Sequence, residues 1–192
     1  QILQPEQEAK QKEWLEKRME GRRHKDEVTA VFEEITRNSK RIQARKLFDY
    51  NIVLIGFMGA GKSSVSQAMA EYSGLREIDT DEEIVRREKR SIPEIFEQDG
   101  EDYFRKLETD LLRELSGRQG LIVSCGGGTI LKEENRRLMK ESGEVVLLSA
   151  RPETIYERVK GGKNRPLLNG HMNVDYIAEL LAKRMPCYEQ AK

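Results

Sequence analysis

The chain has 192 residues and carries 34 lysines and arginines against 34 aspartates and glutamates. Zero net charge argues against a broad nucleic-acid or membrane-surface footprint. The longest nearly apolar run, residues 52–60, holds two glycines and falls far short of the roughly 18 residues that a spanning helix needs. Two cysteines, Cys125 and Cys187, make no disulfide framework, and no signal-peptide core opens the chain, so a soluble protein of a reducing, cytoplasmic compartment is expected.

Residues 1–48 contain one glycine, Gly21, and one proline, Pro5, amid dense Glu, Lys, Arg and Gln. This predicts two helices separated near Gly21, with Pro5 in the first turn of the first. Leu15 and Met19 give that helix a thin apolar edge. The second carries Val28, Val31, Phe32, Ile35 and Ile42 at helical spacing. Two such helices cannot enclose a core, so the stripe is expected to pack on something else.

From residue 50 onward short apolar runs (52–55, 75–78, 121–123 and 145–148) alternate with helical patterns, which predicts an α/β fold with a parallel sheet. Asp79, Ser124 and Ser149 follow such runs and so fall at strand C-terminal ends, where open α/β sheets bind ligands.

Residues 56–63 read G-F-M-G-A-G-K-S, the pattern G-x-x-x-x-G-K-[ST]. Backbone amides around Gly59, Ala60 and Gly61 and at the following Ser63 and Ser64 can cradle phosphate oxygens, Lys62 can reach the outer phosphates, and the Ser63 hydroxyl can ligate magnesium. A strand precedes the loop, and a helix is predicted over 62–72, with Val65, Ala68, Met69 and Tyr72 on one side and Gly74 as its stop. The expected ligand is a nucleoside triphosphate.

Asp79-Thr80-Asp81 closes the second strand. One reading gives Asp79 to magnesium and Asp81 to a hydroxyl substrate; the other makes Thr80 and Glu83 a capping box and Asp81 a first-turn acid. Ser91-Ile92-Pro93-Glu94 begins a helix by capping logic, and Asp99-Gly100 is expected to end it. The next helix buries Tyr103 or Phe104, then Leu107, Leu111 and Leu115, and leaves Arg105 as a solvated arginine by default. Gly126-Gly127-Gly128 directly after a core strand suggests backbone approaching a ligand, while Cys125 reads as a small buried residue. Arg158, Lys160, Lys163 and Arg165 form a glycine-hinged basic stretch that suits a phosphoryl-transfer lid or an ordinary surface loop. Arg184 shares a helix face with Ile177, Leu180 and Leu181, where an arginine is costly unless an anion pairs with it. His24 and His171 have no companions at ligand spacing.

These pieces (G-F-M-G-A-G-K-S, D-T-D, S-I-P-E-I-F with D-G-E and F-R, G-G-G, R-P-L-L and K-R-M-P-x-Y) together resemble the shikimate kinases over residues 51–192. The resemblance implies a P-loop kinase fold and magnesium-dependent transfer of the ATP γ-phosphate to the 3-hydroxyl of shikimate. It further implies that Lys62 and Ser63 serve phosphate and metal, that Asp79 helps hold magnesium, and that Asp81 binds shikimate and takes the proton. Arg105 and Arg184 would grip the carboxylate, Gly127 and Gly128 would offer backbone contacts, Arg165 would be the lid arginine, and Arg158 would face the nucleotide. Shikimate kinases continue with a further strand, an adenine-contacting loop and a last helix, so this C-terminal strand and helix are expected to be missing. A gluconate-type kinase, or a nucleotide-binding module without transfer chemistry, is the alternative.

Residues 1–48 resemble the later part of an all-helical chorismate mutase, through I-L-Q-P-E-Q-E and V-F-E-E-I-T-R-N-S-K-R-I-Q. That resemblance implies chorismate-binding positions at Glu8, Ser39 and Gln43, in a module lacking the long helix whose cations mutase chemistry needs; a charged linker or dimerisation element is the alternative. The expectation is a piece of a mutase–kinase fusion, divided at 1–48 and 49–192. Its partners would be ATP and shikimate, without nucleic acid or membrane, and its parent would be a homodimer through the N-terminal helices.

Overall fold

The computed structural model describes residues 5–160 and 173–192. Lys163, Arg165 and His171 lie outside the described residues.

Four parallel strands, β1 (Asn51–Ile55), β2 (Arg76–Asp79), β3 (Leu121–Ser124) and β4 (Gly143–Leu147), form one sheet in the order β2-β3-β1-β4. β1 and β3 are buried along their whole length, which is why they read as unbroken apolar runs rather than alternating ones. Side chains of β1 still alternate between layers: Val53 and Ile55 join the larger core, with Phe104, Leu111, Val123 and Met139, while Ile52 and Leu54 join Leu75 and Ile122 on the opposite face. Asn51 opens β1 fully buried. Its amide donates to Leu115 O and Arg118 O, and its Oδ1 accepts from Leu121 N, so one side chain ties the turn before β3 to the central strand.

Helices α3 (Lys62–Ser73), α4 (Thr80–Glu88), α5 (Ile92–Ser116), α6 (Glu133–Ser142), α7 (Pro152–Val159) and α8 (Val174–Ala191) surround the sheet. Gly74 closes α3 in a left-handed conformation, as expected, yet Val65 and Tyr72 are exposed and the helix buries Ser66 and Ser73. One local expectation is corrected and two are met. Asp79, not Thr80, caps α4, because its carboxylate accepts from the amides of Asp81 and Glu82. Gly100 breaks the helical run as expected: at φ 85° and ψ 168° it is non-helical, and α5 is two helical pieces that meet across a kink there and run on to Ser116. Ser91 and Glu94 do form the expected capping box at the start of α5.

At the N-terminus α1 (Pro5–Met19) and α2 (Lys25–Leu47) are joined by a turn at Gly21. α2 sits on α3 through its C-terminal half. Ala44 is fully buried, and a Cβ on Gly74 would lie 3.1 Å from Arg41 N and 3.2 Å from Arg37 O, so the two elements meet backbone to backbone. Val28, Val31, Ile35 and Ile42 point elsewhere and are exposed, with Phe32 half-buried. The packing expected of that stripe is thus carried instead by Ala44 and, beyond the helix, by Phe48 and Tyr50 against Leu75, Met69 and Ala70. Among the described residues no helix is long and apolar enough to cross a membrane.

Candidate active site

The C-terminal ends of β1, β2 and β3 open into one cleft of about 340 Å3, lined by Gly59, Lys62 and Ser63, by Asp79 and Asp81, by Ile92, Phe96, Phe104, Arg105 and Glu108, and by Cys125 through Gly128. The fold brings these segments together because parallel strands all end on the same side.

On one wall the loop after β1 leads into α3. Gly61, at φ 103°, holds the left-handed conformation that starts the helix, which leaves the first-turn amides of α3 facing the loop. Lys62 is buried, and its ammonium donates to Gly56 O (2.9 Å) and Phe57 O (3.2 Å). Ala60, Ser63 and Ser64 are part-exposed or exposed beside it. Arg158, on α7, is exposed and reaches over the loop to donate to Gly59 O at 2.9 Å.

The end of β2 supplies two carboxylates with different surroundings. Asp79 Oδ1 accepts from the α4 amides, while its Oδ2 accepts from Ser124 Oγ (3.0 Å) and Ser63 Oγ (3.3 Å). Asp81 has no such support: its Oδ1 is shielded from water and has no hydrogen-bond partner among the described residues. Burial, and then the negative charges of Glu108 and Asp79, push its pKa up to about 7, against the opposing pull of Lys62 and Arg105.

Arg105 is buried, not solvated. Its guanidinium donates to Glu108 (2.7 Å) and to Glu101 (2.8 and 3.1 Å) and lies over the Phe104 ring. Glu108, fully buried, also accepts from the Thr129 hydroxyl. A lone arginine beside an apolar stripe reads as surface. The loop after β3 folds over it, with Gly128 against its guanidinium, while Glu101 and Glu108 flank it from α5 itself. Arg184 is buried too, stacked over Phe57 at 5.6 Å and donating to Gly127 O at 3.4 Å, and it stands just outside the cleft lining. Tyr188 donates to the same carbonyl at 3.0 Å. Burial raises its phenol to about 12, so it remains a donor. Cys125 is buried as expected, and burial drives its thiol far above the usual range, which removes it as a nucleophile.

Glu108, Thr129, Tyr188 and Thr80 were not assigned a role in the site by sequence, and Ser124 and Gly126 were placed there without their partners. Each acts on a partner at least 20 residues away, except for the Glu108–Arg105 pair. That pair has the i, i+3 helical spacing and could have been found.

A magnesium ion fits the donors present. Ser63 and Asp79 offer hard oxygens side by side. No three-membered His, Cys, Asp or Glu cluster occurs among the described residues, which suits an ion that keeps waters and substrate phosphates rather than a full protein cage.

In the N-terminal helices Gln43 Nε2 donates to Ser39 Oγ at 3.1 Å, and Glu8 pairs with Lys40. Glu8 faces a separate, mixed-charge cleft with Lys12, Glu33, Arg37 and Glu71, whose lining does not include Ser39 or Gln43.

A family model described as shikimate kinase matches residues 58–192. The shikimate kinase of Persephonella marina is 46% identical over 141 residues, 73% of this chain and 85% of the relative. That of Dehalococcoides mccartyi (strain 195) is 45% identical over 141 residues, covering 73% and 80%. Among solved structures, a shikimate kinase from Acinetobacter baumannii in complex with shikimate matches with a TM-score of 0.71 at 41% identity, covering 74% of this chain and 79% of that one. The Aquifex aeolicus shikimate kinase matches at 0.64, also at 41% identity, covering 74% and 83%.

Proposed function

The chain belongs to the shikimate kinase family, and on that premise we propose that it transfers the γ-phosphate of ATP to the 3-hydroxyl of shikimate, with magnesium as the metal ion. The observation that carries this reading is the shared cleft: Gly59, Lys62 and Ser63 of the phosphate loop line the same space as Asp81 and Arg105. Phosphoryl transfer asks mainly for positioning and charge neutralisation, and these are the groups for it. Lys62 leaves the carbonyls of Gly56 and Phe57 for the phosphates, and the amides from Gly59 to Ser64 cradle them. Ser63 and Asp79 would hold the magnesium ion, which neutralises charge on the phosphate oxygens.

On the acceptor side Asp81 takes the proton of the attacking hydroxyl; its pKa of about 7 balances the fraction ionised against proton affinity near neutral pH. Arg105 and Arg184 receive the substrate carboxylate. Arg184 suits this role because it is buried with no acidic partner among the described residues. Gly127 and Gly128 present backbone to the substrate, and Arg158 and Arg165 neutralise the nucleotide. A coupled assay of ADP release tests the reading with two acids, shikimate and gluconate. Strong stimulation by shikimate and little by gluconate is expected. Equal stimulation would make the chain a broader sugar-acid kinase, and none would leave a nucleotide-binding module.

Residues 1–48 form, in the same proposal, a chorismate-mutase-like helical unit distinct from the kinase unit of 49–192, inactive as a mutase in this chain and a site of pairing between copies. The uncovered stripe of α2 supports it, as does the Ser39–Gln43 pair. Conversion of chorismate to prephenate by this chain would overturn its inactivity.

A further inference from the structure

None of the three glycines after β3 has a positive φ, so the backbone alone does not demand glycine at 126, 127 or 128. What demands it is space. A Cβ on Gly128 would lie 2.7 Å from both terminal nitrogens of Arg105, and one on Gly127 would lie 3.1 Å from Met58 N in the phosphate loop. A Cβ on Gly126 would overlap Asp81 Oδ1 and come within 3.1 Å of its carboxyl carbon. We propose that Gly126 is a positioning residue for phosphoryl transfer: its missing side chain is the seat of the Asp81 carboxylate.

Two further contacts fix that seat. The amide of Gly126 donates to the Thr80 hydroxyl at 3.0 Å, and Thr80 is the fully buried residue directly before Asp81 in the chain. The segment bearing the carboxylate and the segment facing it are therefore tied at adjacent residues, and neither can retreat from the other. Asp81 itself is the second residue of α4, with its amide held by the cap residue Asp79. Its Oδ1 finds no hydrogen bond there among the described residues, so the pocket opposite Gly126 is defined by shape and not by a donor. A methyl group in that space meets the Asp81 carboxylate first and the Thr129 hydroxyl, 3.1 Å away, second, so the nearer carboxylate is what it turns out of position.

This inference rests on the reading of Asp81 as the acceptor-side base, and the test separates the two. Gly126→Ala should lower kcat by on the order of 10²-fold, the scale of a misplacement of about 1 Å, while KM for ATP stays within about threefold. In an Asp81→Ala background, where both carboxylate atoms are gone and only the Thr129 hydroxyl at 3.1 Å remains, the same change should cost little stability. Thermal unfolding of the four proteins gives a readout that needs no activity: Gly126→Ala lowers Tm when Asp81 is present and leaves it nearly unchanged when Asp81 is alanine. Equal losses in both backgrounds, or failure of both Gly126→Ala proteins to fold, would overturn the proposal, since glycine would then be needed whatever stands at 81. Folding restored only in the double variant supports it. If the unaltered chain shows no shikimate-dependent ADP release, the catalytic reading fails while the unfolding cycle still decides the steric one.

Discussion

Asp81 keeps its proton to about pH 7 because water cannot reach one of its oxygens and two other acids face it. If the ionised form accepts the hydroxyl proton, kcat/KM for shikimate should fall about tenfold per unit as pH drops below about 7. Asp81→Asn should abolish most turnover and leave ATP binding, followed by nucleotide fluorescence, intact; unchanged turnover removes Asp81 from the mechanism. The same group also acts on stability. Its folded pKa lies above the ordinary 3.8, so the stability it contributes is complete below about pH 4 and is lost as pH rises through 7. Asp81→Asn should therefore unfold at higher urea than the parent at pH 8, by up to about 4 kcal/mol at 1.36 kcal/mol per pKa unit, and no differently at pH 4. Neither environment was legible in sequence. D-T-D shows two acids two residues apart, but not that one caps a helix while the other faces a glycine 45 residues on. Arg105 hid for a different reason: Glu101 and Glu108 stand at helical spacing from it and could have been read, but its burial under the loop after β3 could not.

Elements were easier to read than their junctions. The four strands follow apolar runs within a residue or two, most closely at β1 and β3, where burial on both faces leaves no exposed position to blur them. The loop of residues 56–63 also stands where its spacing puts it, since strand, loop and helix are contiguous in the chain. The junction before α4 was misread, because Asp79 and not Thr80 caps it, whereas the break at Gly100 was legible from Asp-Gly: two helical pieces meet there at a kink. That kink has a use: it lets Ile92 and Phe96 line one side of the cleft while Arg105 and Glu108 line another. A Cβ on Gly100 would meet nothing within 4 Å, so its φ of 85° is the sole obstacle to a larger residue. Gly100→Ala should then cost about 1–3 kcal/mol of backbone strain, read by urea unfolding. It should also raise KM for shikimate more than KM for ATP, because only the acceptor wall hinges there. Equal increases would show that the kink is a general structural requirement.

Across the whole molecule α2 has two faces that do different work. One is seated on the kinase core: Ala44 is fully buried, and the backbone at Arg37 and Arg41 rests on Gly74, the residue that ends the helix begun by the phosphate loop. The other exposes Val31, Ile35 and Ile42, each at 59% or more. The sequence showed the second face as an apolar stripe and gave no hint of the first, since a single alanine among charged residues carries no periodic signal. Substitutions on the two faces should therefore separate. Ala44→Leu forces three extra carbons into a closed contact and should destabilise by about 1–3 kcal/mol, lowering Tm with kcat nearly unchanged. Ile35→Gln removes an exposed apolar side chain and, in dilute protein, should shift unfolding by no more than about 0.5 kcal/mol, with shikimate-dependent turnover within about twofold. If Ile35→Gln destabilised as much as Ala44→Leu in protein too dilute to pair, the stripe would have to be covered within one chain, and the division of labour between the two faces would be wrong.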